Sequence, residues 1–408
     1  MIQNSHTGLV RLGDLTTLIS SGSTPKGGAE VYLHEGPVML IRSQNVLMNR
    51  LALDDVAYIT NEIDGSMNRS RVQLGDVLLN ITGASIGRVT VFELKNIRAN
   101  VNQHVCVIRP KSDTLLGRYL AHLLASPGFQ AEIDRIQHGG TRQALTFSQI
   151  AEFQIPLLPL AEQHRISQIL DKAEALRVNR SDAVTQIETA SQAIFLDLFG
   201  DPVANPMGWK RVAFGDLLEK IDSGWSPICL DRPVKGDEWG VLKLGAVTRC
   251  EFNADENKAL PSAEKPEPEL EVKPGDLLFS RKNTYDLVAA CALVRSTPPR
   301  LMMSDLIFRF HLRPEANLNP YFLHQLLIYP TKRKQIQKLA GGSAGSMPNI
   351  SKSKLETVFI EVPPTSLQLE FAKRISSVQK LKDAFRCSLL EIEALFASLQ
   401  QSAFRGEL

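Results

Sequence analysis

The chain is written twice, and that duplication limits its possible folds more than any single motif does. Residues 1–200 and 201–408 are degenerate copies of one plan. Gly13-Asp14-Leu15 recurs as Gly215-Asp216-Leu217, Ser21-Gly22 as Ser223-Gly224, and Gly75-Asp76-Val77-Leu78 as Gly275-Asp276-Leu277-Leu278. Arg109-Pro110 returns as Arg313-Pro314, Tyr119 and His122 as Tyr321 and His324, and Gly139-Gly140-Thr141 as Gly341-Gly342-Ser343. Such a molecule has internal pseudo-symmetry, which suits a target with two halves.

Each copy opens with short apolar runs that read as strands: 38–41, 77–81 and 104–108, then 241–244, 277–279 and 306–310. A helix follows at 115–124 or 319–328, and a proline hinge (Ile155-Pro156-Leu157-Leu158-Pro159, or Val362-Pro363-Pro364) leads into a long helix. In the first long helix, Ile166, Ala173, Arg180, Ile187 and Ile194 fall seven apart; in the second, Phe371, Val378, Phe385, Ile392 and Leu399 do so. Ile169, Leu176, Ala183 and Ala190, or Ile375, Leu389 and Phe396, sit between them. This heptad stripe predicts that the two helices pack on each other along these positions. A helix over 161–199 would be roughly 58 Å long, more than one small domain can cover. Thr365 and Gln368 have capping-box spacing, and Gly200-Asp201-Pro202 ends the first helix. The expected fold class is α+β, with two pseudo-symmetric globular domains separated by two long helices packed as an antiparallel coiled coil. The expected boundaries are 1–155, 156–200, 201–360 and 361–408.

Composition narrows the class. Hydrophobic residues at 43% and charged residues at 22% describe a globular protein, and a net charge of +2 leaves a nucleic-acid partner open. Met1 to Gly8 is polar, so no secretory signal is read, and no apolar run approaches the ~18 residues of a membrane span. Five scattered cysteines without a Cys-x-x-Cys pair argue against a zinc site or disulfide framework and point to the cytoplasm. Asn319-Pro320-Tyr321-Phe322 lacks the second proline of a base-flipping methyltransferase motif and starts a helix. No Walker motif, Gly-x-Ser-x-Gly elbow or His-Glu-x-x-His occurs, and no catalytic or metal-ligating residue is expected.

Polar, glycine-rich loops recur instead, carrying side chains that contact phosphates and read base edges. The candidates in the first copy are Ser23, Thr24, Lys26, Arg42, Gln44, Asn45, Thr82, Ser85, Arg88, Gln103, Arg142 and Gln143. In the second they are Trp225, Ser226, Lys243, Arg281, Lys282, Asn283, Thr284, Tyr285, Ser343 and Ser346. Lys332-Arg333-Lys334-Gln335-Ile336-Gln337-Lys338 adds a basic stretch suited to phosphate. The apolar frame repeats while the loops diverge, as expected for two heads reading two different short sequences at a distance set by the helices.

Read as a whole, the chain resembles a specificity subunit of a type I restriction–modification system. The resemblance rests on Ser21-Gly22-Ser23-Thr24-Pro25, Gly75-Asp76-Val77-Leu78-Leu79, Thr82-Gly83-Ala84-Ser85-Ile86-Gly87-Arg88 and 155–163 entering the helix, and on the ending Ala403-Phe404-Arg405-Gly406-Glu407-Leu408. It implies two target-recognition domains reading a bipartite double-stranded DNA site. It also implies two modification subunits, which are adenine methyltransferases, and restriction subunits that translocate DNA. S-adenosylmethionine, ATP and Mg would belong to those partners, and this chain would bind no cofactor and catalyse nothing alone. The second copy departs at Arg281-Lys282-Asn283-Thr284-Tyr285-Asp286, which replaces the Thr-Gly-x-Ser-Ile-Gly loop. Two alternatives stand beside this reading: a DNA-modifying enzyme with fused specificity domains, which requires cofactor binding, and a coiled-coil assembly protein without DNA reading.

Overall fold

The duplicated sequence folds into a duplicated wiring. The computed structural model describes residues 8–137, 144–341 and 347–408, and the chain divides into two compact units, Met1–Asp182 with Cys387–Leu408 and Ala183–Arg386. The first unit holds an antiparallel sheet in the order Thr16–Ser21, Val105–Pro110, Val77–Asn80, Val89–Val91. A second sheet runs Ala57–Ile59, Val38–Ile41, Ala99–Val101, Arg71–Val72, its central pair parallel. The second unit repeats the first sheet as Leu218–Ser223, Ile307–Leu312, Leu277–Ser280, Cys291–Leu293. Its other sheet is Asn257–Ala259, Gly240–Leu242, Leu301–Met302, again with one parallel pair. A two-stranded ribbon closes each unit: Leu9–Arg11 on Gln154–Pro156, and Lys210–Ala213 on Phe359–Val362.

These strands form because their residues alternate between two buried faces. Val77, Leu79, Cys106 and Ile108 pack against the helix Gly117–Leu124, while Leu78, Val105 and Val107 pack on Met39, Ile41 and Val101 of the neighbouring sheet. In the second unit Leu277, Phe279, Phe308 and Phe310 face the helix Pro320–Ile328, and Leu278 and Ile307 face the smaller sheet.

The repeated Ser-Gly pair has a steric cause. A Cβ on Gly22 would lie 1.6 Å from the Val101 carbonyl oxygen, and one on Gly224 would lie 2.2 Å from that of Met303. The repeated Gly-Asp is a turn: Gly75 and Gly275 have φ of 88° and 98°, and Asp76 and Asp276 accept the amides of Gln73 and Lys273 at 2.6 and 2.8 Å. Buried Asp76 is gripped by Arg109 through two bonds of 2.8 Å, whereas Asp276 takes Arg309 at 3.2 Å. The Arg-Pro repeat is therefore not a structural repeat. Arg313 occupies the place of Lys111, each donating its amide to the equivalent carbonyl of Leu217 or Leu15.

The long helices run Leu160–Phe199 and Thr365–Arg405. Their starts are fixed by one buried glutamine each. Gln163 Oε1 accepts the Leu116 amide at 2.8 Å, and its Nε2 donates to the carbonyls of Thr114 and Leu158 at 2.9 and 2.8 Å. Gln368 repeats this with the Asn319 amide at 2.8 Å and the carbonyls of Asn317 and Pro363 at 3.3 and 2.8 Å. The side chain of Gln368, read from sequence as half of a capping box, thus ties the helix to the domain instead.

In the first unit Ile166 and Leu170 share a core with Phe396 and Ala403, and Tyr119 meets Phe404 edge-on at 5.6 Å. In the second, Phe195 and Phe199 pack on Phe322 and Phe371 with ring centroids 4.8–5.9 Å apart. Of the ten heptad positions named from sequence, Ile166 and Phe371 are buried; Ala173, Arg180, Ile187, Ile194, Val378, Phe385, Ile392 and Leu399 are half-buried. Leu176, placed between them, is 61% exposed instead. Lys382 fills the gap between Ile375 and Leu389 in the second series and is buried, with Glu188 at 2.8 Å and Glu251 in contact. Among the described residues no helix is long and apolar enough to cross a membrane, no group of acidic, histidine and cysteine side chains is placed to hold a metal, and the cysteines are free.

Candidate nucleic-acid interface

Three loops of the first unit meet at the ends of its sheets. Strand Val38–Ile41 delivers the turn Ser43–Asn45, strand Val77–Asn80 delivers 82–88, and the turn before Val105–Pro110 delivers Gln103 and His104. Together Ser43, Gln44, Thr82, Gly83, Ala84, Ser85, Arg88 and His104 line an open groove of about 370 Å³. The structure thus joins Gln44, Thr82, Ser85 and Arg88 of the sequence candidates. Arg88 is exposed and has no ion-pair partner among the described residues. Ser23, Thr24 and Lys26 are exposed but lie outside this groove. Arg142 and Gln143 lie outside the described residues.

The groove has a polar wall in which His104 joins two of the sequence candidates, Thr82 and Gln103. His104 Nδ1 is 2.5 Å from Thr82 Oγ1, and its Nε2 is 2.9 Å from Gln103 Nε2. With the Gln103 amide so oriented, Nε2 accepts and Nδ1–H donates, leaving the Thr82 hydroxyl proton free to be donated outward. Gln103 Oε1 is buried without a hydrogen-bond partner among the described residues. Asn45 is placed differently from its neighbours. Buried, it accepts the Arg42 amide at 3.0 Å and donates to the carbonyls of Ala52 and Asp55, so it shapes the turn. Arg42 and Gln44 both reach Asp55, whose carboxylate is 80% exposed, and Arg42 lies 5.7 Å over the Tyr32 ring. Bonds to so exposed a carboxylate are readily exchanged for others.

The second unit builds the same place from different chemistry. Arg281 stands 5.1 Å over the Phe308 ring and bonds Asn349 at 3.3 Å. Lys352, not singled out from sequence, sits 5.7 Å over the same ring. Lys282 pairs with Asn349 as Thr82 pairs with Ala144. Asn283 is buried and accepts the Thr284 amide at 2.8 Å, while Thr284 and Tyr285 are exposed. Behind this loop, Gln337 Nε2 donates to the carbonyls of Tyr285, Asp286 and Val288, and Arg333 Nη2 to those of Asp286 and Leu287. Trp225 is half-buried, Ser226 bonds Asp305, and Lys243 is 3.9 Å from Glu256. Ser343 and Ser346 lie outside the described residues.

The basic stretch 332–338 is not one surface. Lys332 is buried on Glu361 at 2.6 Å, and burial lowers its pKa against the opposing pull of that carboxylate. Arg333 and Gln337 hold the loop, leaving Lys334 and Lys338 exposed.

Residues 5–186 match the family described as "Type I restriction modification DNA specificity domain". Over 97% of its length the chain is also 22% identical to the type I restriction enzyme EcoKI specificity subunit of Escherichia coli strain K12, covering 87% of that protein. The first copy of the repeat thus matches this specificity-domain family along nearly its whole length. A 34% identity to the EcoEI specificity subunit of Escherichia coli covers 46% of the chain and only about a third of that subunit's length (32%). Among solved structures, the S subunit of a type I system from M. genitalium superimposes with a TM-score of 0.59 at 13% identity, over 99% of this chain and 98% of that one. A chain from a type I R-M complex does so with 0.54 at 18% identity, over 98% of both. These two likenesses establish the fold that this chain shares with them.

Proposed function

We propose that this chain is the non-catalytic DNA-reading subunit of a cytoplasmic type I restriction–modification complex, each unit reading one half of a bipartite duplex site. The observation that carries the reading is the twofold use of one frame with two sets of polar loops, in a chain whose residues 5–186 match the specificity-domain family. In the first unit the reading groups are the groove residues Gln44, Thr82, Ser85 and Arg88, with Gln103, Arg42, Ser23, Thr24 and Lys26 beyond them; Arg142 and Gln143 join the set on sequence alone. In the second they are Arg281, Lys282, Thr284 and Tyr285, with Trp225, Ser226, Lys243, Ser343 and Ser346. The two buried asparagines, Asn45 and Asn283, support these loops from beneath.

The domains proposed from sequence, 1–155 and 201–360, carry the reading loops, and 156–200 and 361–408 form an antiparallel coiled-coil spacer along the heptad positions. Within the second unit Phe199 meets Phe371 while Glu188 meets Lys382 and Arg386, a pairing in which residue numbers rise along one helix as they fall along the other. That supports the antiparallel arrangement. Each helix has 40 or 41 residues, roughly 60 Å at 1.5 Å per residue. Half-sites about one DNA turn apart, ~34–36 Å, fall within that reach. The spacer also docks two methyltransferase subunits, which carry S-adenosylmethionine, while ATP and Mg belong to the restriction subunits.

Methylome sequencing tests this in cells that express the chain with its cognate modification subunit, against cells with that subunit alone. The expected result is a new methyladenine motif with two half-sites and a fixed gap. No new motif, with both proteins soluble and copurifying, would reject DNA reading.

A further inference from the structure

The second unit contains a large cleft that the reading loops do not use. It encloses about 760 Å³, within the range of small-molecule sites, and six basic but only three acidic side chains line it. Two of the basic groups are neutralised: Lys382 and Arg386 share Glu188 and Glu251, with Lys382 to Glu188 at 2.8 Å, Arg386 to Glu251 at 2.8 Å and Arg386 to Glu188 at 3.1 Å. Arg249, Arg295, Arg333 and Lys334 remain, against Asp286 alone. Arg249 and Arg295 make no hydrogen bond or ion pair among the described residues, and Arg333 is held only by backbone carbonyls.

The fold itself does not demand this charge. Tyr119 and His122 are the counterparts of Tyr321 and His324, and the groove beside them is a smaller one of about 430 Å³. There His122 bonds Asp171 at 2.7 Å, and Arg118 is matched by Glu93 and Asp171. One copy of the frame closes its groove with paired charges; the other opens a recess with unmatched guanidinium groups. Arg249 and Arg295 reach solvent at the cleft and hydrogen-bond no carboxylate among the described residues, and guanidinium forks so placed suit a multivalent oxyanion, whose oxygens accept two parallel bonds from each fork.

We propose that this cleft binds phosphate groups, with Arg249 and Arg295 as the anchoring forks and Lys334 as an added point charge. Two sources offer the same chemistry: a free oligophosphate or nucleotide, or the backbone of bound duplex DNA. The cleft lies behind the carbonyls of 285–288 that Arg333 and Gln337 hold, so a phosphate seated there would bear on the loop carrying Thr284 and Tyr285.

The test titrates the full chain calorimetrically with pyrophosphate and, separately, measures its affinity for a non-specific duplex as a function of salt. The double variant Arg249→Ala/Arg295→Ala and its lysine counterpart are compared with the unaltered chain. If the source is a free phosphate, pyrophosphate binds and the alanine variant weakens it by at least about tenfold, with partial recovery by lysine. If the source is DNA, pyrophosphate does not bind, and the salt slope for the duplex falls by about 1.8 in the alanine variant. The absence of both changes would overturn the proposal. A drop in thermal stability of the alanine variant would overturn it too, because those guanidinium groups would then be bound up in holding the fold. Neither readout depends on sequence-specific reading, so failure here leaves that assignment untouched.

Discussion

Replacing Gln368 by methionine keeps the volume and the apolar stem but removes one acceptor and two donors from a fully buried position. The Asn319 amide and the carbonyls of Asn317 and Pro363 would lose partners now at 2.8, 3.3 and 2.8 Å. A hydrogen bond contributes roughly 1 kcal/mol net, and a buried group left unpaired costs about 1–3 kcal/mol. Allowing the 3.3 Å bond little weight, the loss is about 3–5 kcal/mol, a large share of a domain's stability. Because these atoms fasten the long helix to Pro320–Ile328, the effect should concentrate in the second unit. Native-state hydrogen exchange reads it directly: the Asn319 amide should lose protection while Leu116, held by Gln163, keeps its own. Gln163→Met should reverse the pattern. Unchanged protection at Asn319, or a stability loss under 1 kcal/mol in denaturant unfolding, would refute the reasoning.

Other perturbations follow from the same geometry. His324 is half-buried and neutral, its ring hydrogen-bonded to the carbonyls of Cys250 and Cys291, and loss of hydration holds its pKa at about 4 against an ordinary 6.5. The unfolded chain therefore binds the extra proton between those values, so stability should fall by about 3 kcal/mol from pH 6.5 to 4, a slope that His324→Phe removes; an identical slope in variant and parent, followed by urea unfolding, would dismiss it. Asp222 is pushed the other way: hydrogen bonds from His311, Arg309 and Lys220 overcome burial and hold it at about 2. Its contribution, about 2 kcal/mol, is complete above pH 4 and fades as pH falls toward 2, and Asp222→Asn should flatten that acid limb. Gly22→Ala forces a methyl into the Val101 carbonyl and should abolish reading of the first half-site while the second survives in methylation mapping. Deleting one heptad from each long helix should shorten the gap in the methylated motif, and an unchanged gap would remove the helices as its ruler.

Much of the frame could be read before the fold was known. Sequence placed one long helix at 161–199 and a second within 361–408, and they run Leu160–Phe199 and Thr365–Arg405, because a seven-residue repeat sustained after a proline hinge leaves few other solutions. The strand expected at 241–244 stops at Leu242, where Gly245–Thr248 turns as a short helix. The Arg-Pro repeat misled because the two pairs are two residues out of step: both units bulge at the same edge-strand place, Thr17 opposite Arg109/Pro110 and Glu219 opposite His311/Leu312, so Pro110 corresponds to Leu312. Lys332 and Lys334 are near neighbours in sequence, but helical rotation turns one inward and the other outward. The cleft was illegible for a plainer reason: Arg249, Arg295, Arg333 and Lys334 come from three distant stretches, and only tertiary packing gathers them. His104 drew little notice because a lone histidine beside a polar turn carries no periodic signal.

The fasteners of this frame share a habit. Gln163, Gln368, Gln337 and Arg333 grip carbonyls and amides, and Gly22 and Gly224 make room for them. Joints that hold only the main chain are indifferent to which side chains hang from it. Loops clamped in this manner can drift residue by residue, and a lineage can rewrite what one unit recognises while inheriting its scaffold intact.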